Sequence, residues 1–225
     1  MATTSQVILI SEILSMFASI AQILLVIGIY IGWKQLSIAV KDAQIRSKRE
    51  AGILAIAQAS SFANEVIPLV EKIETKLGGP SAVSHKFNQF IPSEIRSTNQ
   101  QKYKDKIAFM KSDFVLHKDI VDLANKMDSL AMSFTKGLAD ESVVFESIGP
   151  VYCEIIEDLY FFYCHYRRSG QRDSRGILGY QNTIDLYSIW GKRVEKIGLE
   201  VDRSELDARI KAVATKGSPI KALGT

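Results

Sequence analysis

Residues 13–33 read ILSMFASIAQILLVIGIYIGW, with no charged residue and one strongly polar side chain, Gln22. Wound as a helix at about 1.5 Å per residue, the stretch reaches roughly 31 Å, close to the hydrocarbon thickness of a bilayer. A core helix of a soluble protein of this length ordinarily carries several polar residues along one side. A secretory leader needs a basic start, a shorter apolar run and a small-residue cleavage site. Here the chain starts MATTSQ and leaves the run through GWKQ, so the stretch reads as an uncleaved transmembrane helix. Tyr30, Trp33 and Lys34 close it as expected interface anchors, rings at the headgroup level followed by a cation.

Orientation follows from the basic residues. None precedes the run, whereas Lys34, Lys41, Arg46, Lys48 and Arg49 follow it closely. The positive-inside rule places the N-terminus outside and the rest in the cytoplasm, where these cations can also rest on anionic headgroups. Within the span, Gly28 and Gly32 form a G-x-x-x-G pair that lets two backbones approach, an expected helix-association face. Ser11, Ser15, Ala18 and Gln22 make a second small or polar stripe.

The remainder has the composition of a globular domain. All 28 basic residues and 24 of the 25 acids lie beyond residue 33. About 190 residues suffice to bury a core without disulfides or metals. The two cysteines, Cys153 and Cys164, are eleven positions apart. On one helix that is about 16 Å, beyond disulfide reach, so free thiols and a reducing compartment are expected.

Hydrophobic spacing beyond the span is helical. No turn signal interrupts 34–77, and Gly52, Ala55, Ala59, Phe62, Val66, Leu69 and Ile73 follow three-four spacing. Pro68 has no amide hydrogen for the carbonyl of Asn64 and should bend the helix; Gly78, Gly79 and Pro80 stop it. Residues 80–105 read as irregular or short-helical. The seam restarts at Leu116, Ile120, Leu123, Met127, Leu130 and Phe134, with Gly137 the expected C-cap and Asp140 the next N-cap. Another runs Phe145, Ile148, Tyr152, Ile155, Leu159, Phe162 and Tyr166, with Pro150 marking a kink or a fresh start. Asn182 or Thr183 caps a further helix with Ile184, Tyr187, Trp190, Val194 and Ile197 inward, and a last short helix is expected from Ser204 to about Ala214. The expected fold class is all-α: one N-terminal transmembrane helix, a long helical stalk and a cytoplasmic bundle of four to five helices. The boundaries are a non-cytoplasmic segment 1–12, the transmembrane helix 13–33, a juxtamembrane stalk 34–77, the bundle 78–200 packing on the stalk, and a short helix and tail 201–225.

Motifs that carry chemistry are scarce. No phosphate-binding glycine loop, dinucleotide fingerprint, H-E-x-x-H or G-x-S-x-G occurs. His85, His117 and His165 are scattered, and Glu154, Glu157 and Asp158 read as a solvated face. The candidate anion-binding group is Arg167, Arg168, Arg172 and Arg175, closing the aromatic stretch YFFYCHYRR. Guanidinium groups so clustered suit a phosphate or nucleotide, while cations at a helix end are also the ordinary complement of its dipole. Lys102, Lys104 and Lys106 form a weaker basic run. No cofactor, metal or nucleic acid is expected.

The junction IGWKQLSIAVKDAQIRSKREAGILAIAQASSFANEVIPLVEKI carries a resemblance. Trp33, Lys34 and Gln35, then Lys48, Arg49 and Glu50, then Phe62, Glu65, Val66, Ile67, Pro68 and Leu69 resemble a group of small bacterial single-pass membrane proteins known as domains of unknown function. The likeness covers about residues 30–73. It implies an anchor in the bacterial inner membrane and assigns no activity or catalytic residue.

The expected function is a membrane-anchored helical scaffold, sensor or effector that acts through protein contacts, partnered by the bilayer, a further copy through the transmembrane helix, or another protein. By analogy with other small proteins of this shape, the process is a stress or phage-defence response. The alternative is a phosphate- or nucleotide-binding bundle using Arg167–Arg175.

Overall fold

The computed structural model describes residues 4–78, 87–167 and 179–216; among residues 4–26, side chains are described only at Met16, Phe17, Gln22, Leu24 and Leu25. The chain divides after Glu50 into two units, each described by itself. It is all-α, with no strand among the described residues.

Helix α1 spans Thr4–Ser61 without a break, so the apolar run and the basic segment after it are one continuous helix. In the first unit every described side chain is exposed. By length and composition, one helix among the described residues is long and apolar enough to cross a membrane.

The second unit begins at Ala51. Phe62–Val66 winds as a π-helix, after which α2 runs over Ile67–Leu77. The amide of Ile67 reaches back five residues to the carbonyl of Phe62. Proline accounts for the placement. The ring of Pro68 would crowd the carbonyl four residues earlier in an α-turn, and a widened turn lets the helix pass through instead of ending. Gly78, left-handed at φ 78°, then caps α2.

Helix α3 covers Gln100–Ser112 and α4 covers Phe114–Thr135, joined at Asp113, whose carboxylate accepts the Leu116 amide at 2.9 Å. All six apolar positions expected along α4 are buried. Its end is a Schellman turn: the Leu138 amide bonds the Ser133 carbonyl, the Gly137 amide bonds Phe134, and Gly137 has φ 67°. Gly137→Ala is therefore expected to cost about 1 kcal/mol, since a Cβ disfavours that φ while nothing sterically opposes it. Denaturant unfolding checks this, and an unchanged midpoint would contradict it.

Asp140 caps the following 3₁₀ turn by accepting the Ser142 amide. Helix α5 occupies Phe145–Asp158 with Pro150 inside it; after a break at Leu159, α6 occupies Tyr160–Tyr166. One expected helix is thus two. The break turns the aromatic stretch so that five consecutive residues, Tyr160 to Cys164, are buried. A helix apolar on every side belongs in the core centre.

Helix α7 runs over Gln181–Lys216 as a single element and packs on α4 and α5. Two expectations are corrected here. No separate helix starts at Ser204, because strong helix formers on both sides carry the helix through Gly198 and Ser204. Ile197 is not inward: from Glu195 to Ala212 every described residue is exposed. Elsewhere α2 packs on α4, and α3 on α4 and α6.

Candidate functional site

The site to test is the arginine end of α6. Arg167 follows the last residue of that helix and is only 1% exposed. Its Nε donates to the carbonyl of Gln89 at 2.9 Å, its Nη1 to the carbonyl of Gly179 at 2.6 Å, and its Nη2 to Oε1 of Gln181 at 3.2 Å. Burial pulls its pKa down, opposed mainly by the nearby charge of Asp185. An arginine stays protonated regardless, so the interior holds a cation neutralised by carbonyl dipoles and by acids around it.

The two carbonyls have something in common. Gln89 precedes Phe90 at φ 52°, and Gly179 precedes Tyr180 at φ 58°, the positive-φ non-glycine residues among those described. A left-handed conformation costs a residue with a Cβ roughly 1–2 kcal/mol. Arg167 thus ties down both strained backbone segments. The first has a second tether: the Glu94 carboxylate accepts the amides of Asn88, Gln89 and Phe90 at 3.0–3.2 Å. The side chains of these strained residues enter the aromatic core. Phe90 meets Phe87, Tyr163 and Tyr187, and Tyr180 meets Phe162, Tyr163 and Tyr166.

Beside this clamp lies a second polar centre. Asp128, on α4, accepts the Thr183 amide at 3.0 Å, the Thr183 hydroxyl at 2.9 Å and the Asn182 carboxamide at 3.2 Å. It therefore caps the start of α7 from another helix, supplying the negative charge that α7 lacks in its own first turn. The Tyr152 hydroxyl donates to the Thr183 carbonyl at 3.1 Å. Tyr187 donates to Glu157 at 2.6 Å, and burial with that carboxylate keeps its phenol protonated. His117 Nε2 lies 2.6 Å from the Tyr166 hydroxyl.

Of the four expected anion ligands, Arg167 thus faces protein acceptors inside the body; Arg168, Arg172 and Arg175 lie outside the described residues. In the weaker basic run, Lys106 sits over the Phe161 ring at 5.2 Å, where burial and the neighbouring Lys102 pull it down to about 8. Gly28 and Gly32 are exposed, with nothing within 4 Å of where a Cβ would stand. Tyr30, Trp33 and Lys34 are exposed as well. No group of metal-ligating side chains occurs among the described residues. Asp128 and Glu94 escaped sequence reading. Glu94 sits in an ordinary Pro-Ser-Glu turn, and Asp128 acts across 55 positions.

Cys153 and Cys164 are buried free thiols, each pushed up to about 12 chiefly by burial. The thiolate is the reactive form. A thiol reagent at pH 8 is expected to leave both unmodified in the native chain and to label both in denaturant, read by mass spectrometry. Native labelling within minutes would contradict the packing.

A shallow recess of about 240 Å³ lies against Phe87, Glu157, Tyr187 and Lys192. No family model, curated protein or solved structure matches this chain.

Proposed function

We propose that this chain is a single-pass protein of the bacterial inner membrane, anchored by residues 13–33 with its N-terminus outside, whose cytoplasmic helical body acts through protein contacts. The observation that carries the reading is α1: one long helix whose described apolar side chains up to Glu50, among them Leu24, Leu25, Ile29 and Trp33, are exposed. In water each would stand against the hydrophobic effect; in a bilayer each is at home. The basic residues on the carboxyl side alone support the orientation. Contact as the mode of action is supported by the exposed part of α7, which presents Ile197, Leu199, Val201, Leu206 and Ile210. A role in stress or phage defence is part of this proposal.

Alkaline carbonate washing of membranes expressing the full chain is the direct test. The protein is expected in the pellet, and a periplasm-dependent reporter at its C-terminus is expected to stay inactive. Release into the supernatant, or an active reporter, would overturn the anchor or its orientation respectively.

A further inference from the structure

We propose that α1 pairs in parallel with α1 of a second copy of this chain, along a seam that starts at Gln22 in mid-membrane and continues out of the bilayer to Ser47. The inference rests on the anchor reading above and names the partner.

The seam is a repeat of seven. Gln22, Ile29, Leu36 and Ala43 are each seven apart, and Trp33, Val40 and Ser47 fall between them with the same spacing. Alternating steps of three and four keep these positions within about 80° of one another around a helix. All seven are exposed in the structure. The next position in the repeat is Glu50, which ends the apolar face.

Three observations select a second copy as the occupant. The first is Gln22. It lies near the middle of the 13–33 span, is exposed, and is the strongly polar side chain of that stretch. Hydrocarbon offers a carboxamide no hydrogen-bond partner. A carboxamide both donates and accepts, so it is complementary to its own twin. In a parallel pair Gln22 meets Gln22.

The second is reach. Lipid covers a helix only through the core and headgroup layers, about 20 Å from the midplane. Ser47 stands fourteen residues beyond Trp33, about 21 Å further along the axis, so lipid does not cover Val40, Ala43 or Ser47.

The third is charge placement. Lys34, Lys41 and Lys48, themselves seven apart, lie about 100–140° round the helix from the seam. The positions bordering the seam between Trp33 and Ser47 are Ser37, Gln44, Ala39 and Arg46. Lys34 and Lys41 would therefore face away from their counterparts in a parallel pair, on the sides left to solvent and headgroups, while Arg46 at the cytoplasmic end borders the seam. Two copies inserted with one topology can meet only in parallel, so each seam residue faces its own counterpart. Gly28 and Gly32 lie to one side of this face, about 60–100° from its centre.

The test is same-position disulfide crosslinking of the full-length chain in isolated membranes, with single cysteines introduced on α1 and Cys153 and Cys164 replaced by serine and alanine in parallel backgrounds. Leu36→Cys, Val40→Cys and Ala43→Cys are expected to crosslink several-fold faster than Ile38→Cys, Lys41→Cys and Ile45→Cys, all exposed positions outside the folded body. Gln22→Leu is expected to lower dimer formation about threefold to tenfold, whereas Gly28→Leu leaves it within about twofold. A profile without the three-four rhythm, or a dimer lost with Gly28→Leu and kept with Gln22→Leu, would overturn the seam. A chain that stays in the carbonate pellet yet shows a flat profile sinks only this inference; a chain released by carbonate sinks the anchor reading beneath it.

Discussion

Arg167→Ala is expected to lower the melting temperature of the full-length chain in detergent by about 10 °C, the largest effect of any single polar substitution in the body. The substitution removes the hydrogen bonds from a buried guanidinium to the carbonyls of Gln89 and Gly179 and opens a void at the end of α6. A hydrogen bond to a charged group contributes about 1.5–3 kcal/mol, and the sum of about 4 kcal/mol for the two corresponds to that shift for a chain of this size. The strained backbone at Phe90 and Tyr180 loses one of its restraints at the same time. Arg167→Lys keeps the charge but has no planar fork to reach two carbonyls and Gln181 together, so about half of the loss should remain. A shift below about 2 °C for the alanine variant, measured by circular dichroism, would show that Arg167 does not clamp these loops.

Trp190→Ala should cost about as much for a different reason. Trp190 is fully buried where α7 crosses α4 and α5, with its ring 5.4 Å from Phe134, 5.7 Å from Phe145 and 5.3 Å from Tyr152. Its indole N–H donates to Glu141 at 2.8 Å, and Arg193 holds the other oxygen of that carboxylate at 2.9 Å while stacking on Phe145 at 3.8 Å. Removing a buried tryptophan costs about 3–5 kcal/mol in transfer and cavity terms. Trp190→Phe keeps most of the packing and loses the hydrogen bond, so about 1–2 kcal/mol is expected. Urea unfolding followed by circular dichroism separates the two variants. Equal losses for both would mean that the Glu141 bond, not the packing, carries the position.

The seams of α4 and α5, the Gly137 and Asp140 caps, and the helical class were legible in the sequence, because each depends on neighbours within a turn or two. The break at Leu159 and the all-round burial of α6 were not. Pro68 announces a disturbance in the sequence but not the π-turn that absorbs it, since several backbone adjustments can relieve the same clash. The arginine cluster was legible as charge alone. A guanidinium reads the same in sequence whether it faces water or the carbonyls of two distant loops, and Arg167 faces the carbonyls.

An uncharged run of bilayer length ahead of a helical body is legible in the residues alone, because hydropathy and periodicity are local quantities summed along the chain. Where α7 ceases to be covered, the Arg167 clamp on Gln89 and Gly179, and the Asp128 cap on a helix 55 positions away emerge on folding. Burial and hydrogen-bond partnership belong to pairs that only the folded chain brings together. Trp190 and Ile197 sit seven positions apart on nearly one face of α7, yet one is fully buried and the other 49% exposed, because α4 and α5 close over the first and leave the second at an open recess beside Phe145 and Glu146.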